Sequence, residues 1–274
     1  MISSPLLSTM REDYRLGTLE EDSVSQNPYK QFDKWFQDEL SWKTVKEPNA
    51  MHLATCTKDG KPSGRIVLLK YFDQNGFVFF TNYNSRKSHE MIENPYASIT
   101  FFWNQRQIRI EGTVEKVTRE ESENYFKTRP KASQLGAWVS KYQSAEVSRE
   151  ELVESQRRLE KQYESTEVPT PEFWGGWRIK PTCFEFWQGK GGRIHDRIKY
   201  KTITNNTING NSNNIISTSA TVEITEDLDK LKIISKANEH HQQEEKENGK
   251  DQQVKKDSDD NDEYGKWSIK RLYP

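Results

Sequence analysis

Residues 65–87 read RIVLLKYFDQNGFVFFTNYNSRK, and this stretch decides the fold. Two apolar runs flank Asn75-Gly76, a dipeptide typical of tight β-turns, so they predict an antiparallel hairpin. The first run, residues 65–72, is almost continuously apolar, which predicts a strand covered on both faces. One cation opens the stretch and two close it: Arg65, Arg86 and Lys87. Since a hairpin brings its ends together, the sequence predicts a phosphate bound at the edge of a buried sheet.

Composition divides the 274 residues into two kinds of segment. Residues 202–262 are rich in Asn, Gln, Ser and charged residues, which cannot bury enough apolar surface to offset the entropy of ordering them. We therefore predict an N-terminal segment or lid at 1–26, a globular domain at 27–201 plus 263–274, and a disordered insertion at 202–262.

Charge and cysteine content exclude several classes of function. The formal net charge of -1 argues against electrostatic binding to nucleic acid. Cys56 and Cys183 have no spacing typical of a metal site, so we predict no metal and two small, buried thiols in a reducing compartment. No apolar run approaches the roughly 20 residues of a membrane-spanning helix, and no signal-peptide pattern opens the sequence. We expect a cytoplasmic protein without a membrane or nucleic-acid partner.

The remaining residues predict a mainly β fold with helical decorations, in which antiparallel strands form a barrel. Helices are predicted at 27–41, 85–93, 118–127 and 148–164, the last with Leu152 and Leu159 facing inward. Strands are predicted at 51–57, 65–72, 77–81, 97–103, 107–117, 177–180, 184–188, 193–201 and 266–272, with the last two paired. The sequence has no glycine-rich phosphate loop of the Rossmann or P-loop type, which argues against those nucleotide-binding folds.

Candidate binding residues surround the hairpin: Arg65, Lys70, Thr81, Ser85, Arg86 and Lys87. Ser85 lies where a helix is predicted to begin, and the N–H groups of a helix N-terminus favour an anion. A solvated basic turn is the simpler interpretation of residues 85–87. Against it, Arg65 and Lys70 lie within apolar runs, where a charge is costly unless it is paired or bound to a ligand.

Two further groups of polar residues lie later in the chain. Tyr125 and Arg129 share a helix face, with Ser133 just beyond; they form either a second phosphate pocket or an ordinary amphipathic helix end. Arg193, His195 and Arg197 alternate along a predicted strand and would share one face. Three unpaired cations on one face repel each other, so the triplet predicts an anionic or electron-rich ligand, although a lone histidine is more often structural.

Seven runs that follow one another along the sequence indicate a protein family when they are taken together: RIVLLK at 65–70, FFTNYNSRK at 79–87, YFKTRPKASQLGAWVS at 125–140, FWGGWRI at 173–179, FEFWQG at 184–189, RIHDR at 193–197 and RLYP at 271–274. Together they resemble the pyridoxine (pyridoxamine) 5′-phosphate oxidase family over nearly all of the chain outside 202–262. The resemblance implies a split β-barrel homodimer with FMN at the subunit interface. It also implies oxidation of pyridoxamine 5′-phosphate and pyridoxine 5′-phosphate to pyridoxal 5′-phosphate, with dioxygen as acceptor and hydrogen peroxide as product; the amine also releases ammonia.

The resemblance also implies roles for residues of this chain. The residues that match FMN-binding positions, some of them contributed by a partner subunit, are Arg65, Ile66, Val67, Leu68, Leu69, Lys70, Phe80, Thr81, Ser85, Arg86, Lys87, Gln107, Gln143, Ser144, Trp187 and Arg197. The residues that match substrate-binding positions are Arg11, Tyr14, Lys70, Tyr125, Arg129, Ser133, Arg193 and His195. Arg193 and His195 match the catalytic positions. Because an arginine, with a pKa above about 12, is a poor general base, solvent or His195 is the alternative proton acceptor.

Two other functions fit parts of the same sequence. A split-barrel flavin reductase that uses a nicotinamide would share the flavin site, but it would not need a second phosphate pocket. A carrier that binds FMN or pyridoxal phosphate without catalysis would need the pockets alone. Peroxide formation from pyridoxine 5′-phosphate distinguishes both from an oxidase.

Overall fold

The computed structural model describes residues 13–203 and 266–273, and the structural statements below concern these residues. Arg11, the rest of the predicted lid before residue 13, and residues 204–265 lie outside the described residues. For Arg193 only the backbone is described. The predicted domain boundaries, and the predicted disorder of 202–262, stay predictions.

Nine strands and five α-helices make up the described part of the chain. The strands are β1 (Ala50–Cys56), β2 (Pro62–Leu68), β3 (Tyr71–Asp73), β4 (Gly76–Asn82), β5 (Tyr96–Trp103), β6 (Arg106–Lys116), β7 (Trp174–Gln188), β8 (Asp196–Thr202) and β9 (Trp267–Arg271). The helices are α1 (Pro28–Trp42), α2 (Arg86–Glu93), α3 (Arg119–Thr128), α4 (Lys131–Val139) and α5 (Arg149–Gln162). One turn of 3-10 helix, Gly191–Arg193, precedes β8.

The strands form one antiparallel sheet with the order β2-β1-β5-β6-β7-β4-β3. The long strand β7 pairs with β6 on one side; on the other side its first half pairs with β4 and its second half with β8. Strand β9 pairs with β8, which confirms the pairing predicted for the last two strands. The sheet therefore divides along β7 into two arms, and the prediction of a mainly β, antiparallel fold is confirmed.

Aromatic side chains of α1 fill the core against the sheet. The Asn27 side chain caps α1 by accepting a hydrogen bond from the N–H of Tyr29 at 2.9 Å, and Pro28 occupies the first turn. Phe32 is fully buried, and its ring meets those of Phe77 and Phe101 edge-on at centroid distances of 4.9 and 5.1 Å. This packing joins α1 to β4 and β5, and β4 carries part of the candidate site.

The hairpin predicted at 65–87 is shorter in the structure. Strands β3 and β4 do form a hairpin, and Gly76 at its turn has a φ of 131°, which a side chain would strain. The run 65–72, however, is not one strand, because β2 ends at Leu68 and pairs with β1 rather than with β4. Ile66 is 64% exposed, so β2 is not covered on both faces. A continuous apolar run in the sequence does not show where a strand ends or which strand it pairs with.

Three other predictions were wrong in detail. Residues 177–180 and 184–188 belong to one strand, β7, which continues past a register shift opposite Glu111 and Gly112. The strand predicted from residue 193 begins only at Asp196, so Arg193, His195 and Arg197 do not alternate along it. Leu152 is 38% exposed rather than inward, whereas Leu159 packs against a smaller core around Phe126 and Trp174, as predicted.

Both cysteines are free thiols; Cys183 is buried and Cys56 is partly buried. Within residues 13–203 and 266–273, no three or more His, Cys, Asp or Glu side chains are grouped so that they could hold a metal ion. The helices in the same ranges are all too short or too polar to cross a membrane.

Candidate functional site

The first cationic cluster consists of Arg65, Arg86 and Lys87, and it is built around the carboxylate of Glu90. Arg65 approaches from β2, with 3.5 Å between its Nη2 and Glu90 Oε2. Arg86 approaches from the first turn of α2, with 2.8 Å between its Nε and Glu90 Oε1. The Glu90 side chain is only 3% exposed. A buried carboxylate thus joins two arginines that come from different elements.

Glu90 remains ionised far below neutral pH. Burial alone would raise the pKa of its carboxyl, but hydrogen bonds from the hydroxyls of Ser63 and Thr55, each 2.5 Å from Oε2, and the contact with Arg86 lower it to about 2. The same two hydroxyls accept hydrogen bonds from Arg65. The protein's own groups therefore hold both arginines in place.

Lys87 adds positive charge that no carboxylate balances within the described residues. Its Nζ donates a hydrogen bond to Thr81 Oγ1 at 3.0 Å, and burial together with the charge of Arg65 lowers its pKa. The group formed by Arg65, Arg86, Lys87 and Glu90 carries a formal net charge of +2, although only the two arginines contact the carboxylate. Ser85 is the N-cap of α2, and its carbonyl accepts hydrogen bonds from the N–H groups of Ser88 and His89. The N–H groups of Arg86 and Lys87, which open the helix, lie beside this charge. A cavity of about 290 Å³ beside Arg86 is lined also by Glu93, Gln143 and Ser144, so a second carboxylate borders it.

The second cationic cluster consists of Lys70 and Arg129, with three aromatic rings beside it. Phe80 on β4 stacks on Tyr125 at a centroid distance of 4.1 Å and on Trp174 at 5.4 Å. The guanidinium carbon of Arg129 lies 4.7 Å from the Trp174 ring centroid. The helix face that the sequence predicted for Tyr125 and Arg129 is thus packed against β4 and β7.

The second cluster is not balanced by a carboxylate. Neither Lys70 nor Arg129 forms a salt bridge with any residue that the structure describes, and Nη1 of Arg129 is buried without a hydrogen-bond partner. Burial, and then the charge of Arg129, lower the pKa of Lys70, while Glu47 opposes the effect. Burial likewise lowers the pKa of Arg129 and raises that of Tyr125. Because an unpaired buried donor costs about 1–3 kcal/mol, this pocket suits an anion.

A third group, the aromatic–histidine cluster, consists of Tyr14, Trp187 and His195. Their ring centroids are 5.7 Å apart for Tyr14 and Trp187, 5.2 Å for Tyr14 and His195, and 5.0 Å for Trp187 and His195. His195 Nδ1 accepts a hydrogen bond from the N–H of Lys190 at 3.2 Å, so the neutral ring carries its proton on Nε2. Gly189 allows the close approach of Tyr14, since a Cβ there would lie 2.6 Å from the ring.

A row of side chains across β6, β7 and β8 extends from this cluster. The register pairs Gln107 with Trp187, and Trp187 with Arg197. Directly opposed residues share a face of the sheet, so the three lie together. Arg197 Nη2 lies 3.0 and 3.1 Å from the two carboxylate oxygens of Glu185, which also binds Arg109 Nη2 at 2.9 Å. A buried carboxylate therefore orients Arg197.

The aromatic–histidine cluster lies far from both cationic clusters within one chain. Thr81 pairs with Gly175 near the start of β7, whereas Trp187 lies near its end. At about 3.3 Å per residue, the strand between positions 175 and 187 is roughly 40 Å long. A ligand that contacted both ends within one chain would have to span much of this length.

The structure thus distributes the predicted site residues over three places. The first holds Arg65, Thr81, Ser85, Arg86, Lys87, Gln143 and Ser144; the second holds Lys70, Phe80, Tyr125 and Arg129; the third holds Tyr14, Gln107, Trp187, His195 and Arg197. Ile66, Val67 and Leu68 lie on the edge strand β2, and Leu69 follows directly. Ser133 lies exposed in the first turn of α4, where its N–H donates a hydrogen bond to the carbonyl of Pro130 at 2.8 Å.

Sequence reasoning missed three residues that shape these clusters. The spacing of Arg86 and Glu90, four residues apart on a helix, signalled an ion pair. Glu185, inside the apolar run FEFW, signalled a buried charge that needs a partner. Trp174 gave no comparable signal, because its stacking on Phe80 follows from the pairing of β4 with β7.

Sequence comparison relates this chain to known oxidases. Residues 39–162 match the family described as pyridoxamine 5′-phosphate oxidase, and residues 174–213 match the pyridoxine 5′-phosphate oxidase C-terminal dimerisation region. A pyridoxine-5′-phosphate oxidase from Dictyostelium discoideum is 58% identical over 205 residues, which cover 74% of this chain and 90% of that protein. A pyridoxine/pyridoxamine 5′-phosphate oxidase from Nostoc punctiforme is 51% identical over 203 residues, 73% of this chain and 94% of that protein.

Two solved structures share the fold. PhzG from Burkholderia lata 383, in complex with tetrahydrophenazine-1-carboxylic acid, has a TM-score of 0.66 and 27% identity, covering 71% of this chain and 96% of its own. A pyridoxamine 5′-phosphate oxidase-related, FMN-binding protein from Nostoc punctiforme has a TM-score of 0.52 at 14% identity, covering 66% and 93%, and this likeness concerns the fold alone. The predicted split-barrel architecture and the resemblance noted in the sequence are confirmed. The chain belongs to the pyridoxine/pyridoxamine 5′-phosphate oxidase family.

Proposed function

We propose that the protein oxidises pyridoxine 5′-phosphate and pyridoxamine 5′-phosphate to pyridoxal 5′-phosphate, with FMN as cofactor and dioxygen as acceptor. Relatives with oxidase names at 50 and 58% identity support this reaction. When bound, FMN would supply the two-electron oxidation of the substrate carbon and the passage of those electrons to dioxygen, which yields hydrogen peroxide. The residues of the chain would bind, orient and handle protons.

The first cationic cluster fits the phosphate of FMN. Its net charge of +2 matches a phosphate dianion, and Lys87 and the N–H groups that open α2 are donors without a carboxylate partner among the described residues. Arg65 and Arg86 would bind the same phosphate while Glu90 holds their side chains. Gln143 and Ser144, in the adjoining cavity, and the edge strand β2 would bind the rest of the cofactor.

The observation that carries the proposed substrate is the second cationic cluster. Arg129 has a buried Nη1 without a partner, and it repels Lys70 electrostatically. A bound phosphate would accept hydrogen bonds from both groups and remove the repulsion between them. Tyr125 and Ser133 would add hydroxyl donors. This compact pocket favours a small phosphorylated substrate over the larger nicotinamide dinucleotide that a flavin reductase would use.

The aromatic–histidine cluster would contact the substrate ring. With Nδ1 accepting from the Lys190 N–H, the neutral His195 ring presents Nε2–H as a donor to a substrate group. No nitrogen of that ring is then free to take up the substrate proton, which favours solvent as the proton acceptor. Arg193 would orient the ring, and Tyr14 would cover it. Trp187, Gln107 and Arg197 would complete the flavin site on this face.

Two chains are needed to form one complete site. Within one chain, the ring-contacting residues and the phosphate-binding residues lie at opposite ends of β7, roughly 40 Å apart along the strand. A homodimer that brings the end of β7 of one chain to β4 of the other would unite them. The match of residues 174–213 to a dimerisation region supports this arrangement.

Turnover of defined substrates tests the proposed reaction. Purified protein loaded with FMN should form hydrogen peroxide and pyridoxal 5′-phosphate from pyridoxine 5′-phosphate, but form far less product from unphosphorylated pyridoxine. A yellow protein that gives neither product with either phosphorylated substrate would refute the oxidase. Oxidation of NADH instead would favour the reductase.

Complementation tests the site between two chains. At a substrate concentration near the wild-type KM, Arg129→Met and His195→Ala would each leave a homodimer nearly inactive, because every site would lack one residue. Mixed dimers of the two variants would contain one intact site of two, so random reassociation should restore about a quarter of wild-type activity. If the residues of one site came from a single chain, the mixture would stay inactive.

A further inference from the structure

Arg271, near the end of β9, binds three carboxylates and one carbonyl. Its Nη1 lies 2.6 Å from Asp196 Oδ1, its Nε lies 2.7 Å from Glu21 Oε1, and its Nη2 lies 3.0 Å from Glu20 Oε2. Nη2 also donates a hydrogen bond to the carbonyl of Leu19 at 2.8 Å. Hydrogen bonding to Glu21 raises the pKa of Arg271, so the guanidinium stays charged at every relevant pH. An arginine has five guanidinium N–H donors, enough to bind all four groups at once. We call Arg271 together with Asp196, Glu20, Glu21 and the Leu19 carbonyl the Arg271 hub.

Asp196 shares this hub with the N-terminal segment. It is the first residue of β8 and is 6% exposed. While Oδ1 accepts from Arg271, Oδ2 accepts a hydrogen bond from the N–H of Leu19 at 2.9 Å. The hub therefore ties residues 19–21 to the strand that begins one residue after His195.

The segment before residue 19 continues from the hub to the aromatic–histidine cluster. The side-chain amide of Gln188 donates to the carbonyl of Gly17 at 3.3 Å. The N–H of Arg15 donates to Gln105 Oε1 at 2.7 Å. Tyr14 then lies against His195 and Trp187. Among the described residues, these contacts, a longer one of 3.5 Å from the Gln188 amide to the Leu16 carbonyl, and the ring contacts hold residues 14–17, and Leu19 is the first residue of the described segment that is buried in the core.

We propose that Arg271 is a positioning residue, which holds residues 19–21 at the start of β8 and thereby keeps the Tyr14 ring on His195 and Trp187. The inference rests on the proposed function only in taking Tyr14 and His195 as parts of the substrate site. Strand β9, which follows residues 204–265, would then help to form the site, although Arg271 does not touch the substrate.

Hydrogen exchange of the full-length, FMN-loaded protein tests the placement of the segment without measuring activity. Arg271→Met should speed exchange of the Arg15 and Leu19 amides by about 10-fold or more, since hydrogen bonds to charged groups typically contribute 1.5–3 kcal/mol. Arg271→Lys keeps the charge but has one nitrogen to bridge several acceptors, so an intermediate rate is expected. Arg119→Met is the matched control, because Arg119, on helix α3, also binds one carboxylate closely together with backbone carbonyls.

Unchanged exchange in Arg271→Met, or an equal increase in Arg119→Met, would overturn the proposal. If Arg271→Met does not fold, the double variant Glu20→Gln/Glu21→Gln removes two of the three carboxylates and leaves Asp196 in place. It should still speed exchange of the Leu19 amide several-fold, and unchanged exchange there would again overturn the proposal.

NMR signals of the His195 ring and steady-state kinetics test whether Arg271 positions the Tyr14 ring in the site. In Arg271→Met the NMR signals of the His195 ring should move towards those of an exposed histidine, because the Tyr14 ring leaves it; His195→Gln identifies the signals. KM for pyridoxine 5′-phosphate should rise as in Tyr14→Ala, with kcat changed less than KM. A fall in kcat alone would contradict the positioning role. A wild-type protein without oxidase activity would refute the proposed function, while exchange and NMR would still decide the role of Arg271.

Discussion

The two cationic clusters differ in how their charge is balanced. In the first, Glu90 neutralises part of the charge of Arg65 and Arg86, and hydroxyls of Thr55 and Ser63 complete the network. In the second, Lys70 and Arg129 lie in a partly buried pocket of aromatic rings, and no carboxylate among the described residues pairs with either. The first cluster is therefore stable by itself, whereas the second gains most from a bound anion. This difference suits a tightly held cofactor in one place and an exchanging substrate in the other.

Glu90→Gln should have the largest effect, because it converts the first cluster into one like the second. A carboxyl whose folded pKa is about 2, against an ordinary 4.5, contributes about 3 kcal/mol of folding stability at neutral pH. The stabilisation is fully present above about pH 4.5 and is lost as the pH falls towards 2. Chemical denaturation of both proteins across this range should show the difference shrinking with acidity.

An exposed ion pair provides the control for Glu90. Glu123→Gln removes a carboxylate that binds Arg119, four residues earlier on α3. It should lower the free energy of unfolding by less than about 0.5 kcal/mol. Added inorganic phosphate should restore part of the stability of Glu90→Gln by replacing the lost negative charge. A variant as stable as wild type at pH 7 would show that Glu90 does not organise the cluster.

Arg129→Met should separate binding from stability in the second cluster. Removing a guanidinium that binds phosphate should raise KM for pyridoxine 5′-phosphate about 10- to 100-fold. Stability without substrate should stay equal or rise, because the variant no longer buries an unpaired donor. Arg178→Met is the contrasting control: Arg178 is 12% exposed and paired with Asp73 and Glu121, so its loss should destabilise the fold. Marked destabilisation by Arg129→Met would mean that its charge is already satisfied.

A smaller effect is expected from Lys70→Arg, and it depends on pH. Burial and Arg129 lower the pKa of Lys70 below its ordinary 10.5, so the wild-type side chain loses its charge on the alkaline side earlier than a normal lysine. The affinity for a phosphorylated substrate should therefore fall as pH rises through that range. Because an arginine stays charged there, KM of the variant should rise less steeply; equal slopes would argue against Lys70 as a phosphate ligand.

The smallest effect on the site is expected from replacing 204–262 by a short Gly-Asn turn. Loop-closure entropy depends only weakly on length, and β8 and β9 already pair on either side of the replaced residues. Affinities for FMN and substrate should stay within about twofold of wild type. A loss of flavin would show that the segment itself supports the first cluster.

Local patterns in the sequence predicted some parts of the site well. The spacing of Tyr125 and Arg129 predicted one shared helix face; Tyr125 lies on α3, whereas Arg129 is the residue that caps its C-terminus. Ser85 was correctly placed at the start of α2, because both features depend on neighbours within one turn. The pairing of Arg65 with Glu90 could not be predicted, since it joins residues 25 positions apart through β2 and α2. The strand predicted at 65–72 failed for the same reason: its partner and its break depend on distant residues.

Short runs of residues determine the chemistry of the site and the class of the fold, because side-chain type and local periodicity act over a few positions. Only the tertiary structure determines which cations form an ion pair with a carboxylate. It also places His195 roughly 40 Å along β7 from the phosphate-binding residues. Strand pairing controls both outcomes, and pairing is set by the packing of the whole sheet rather than by any one stretch of sequence.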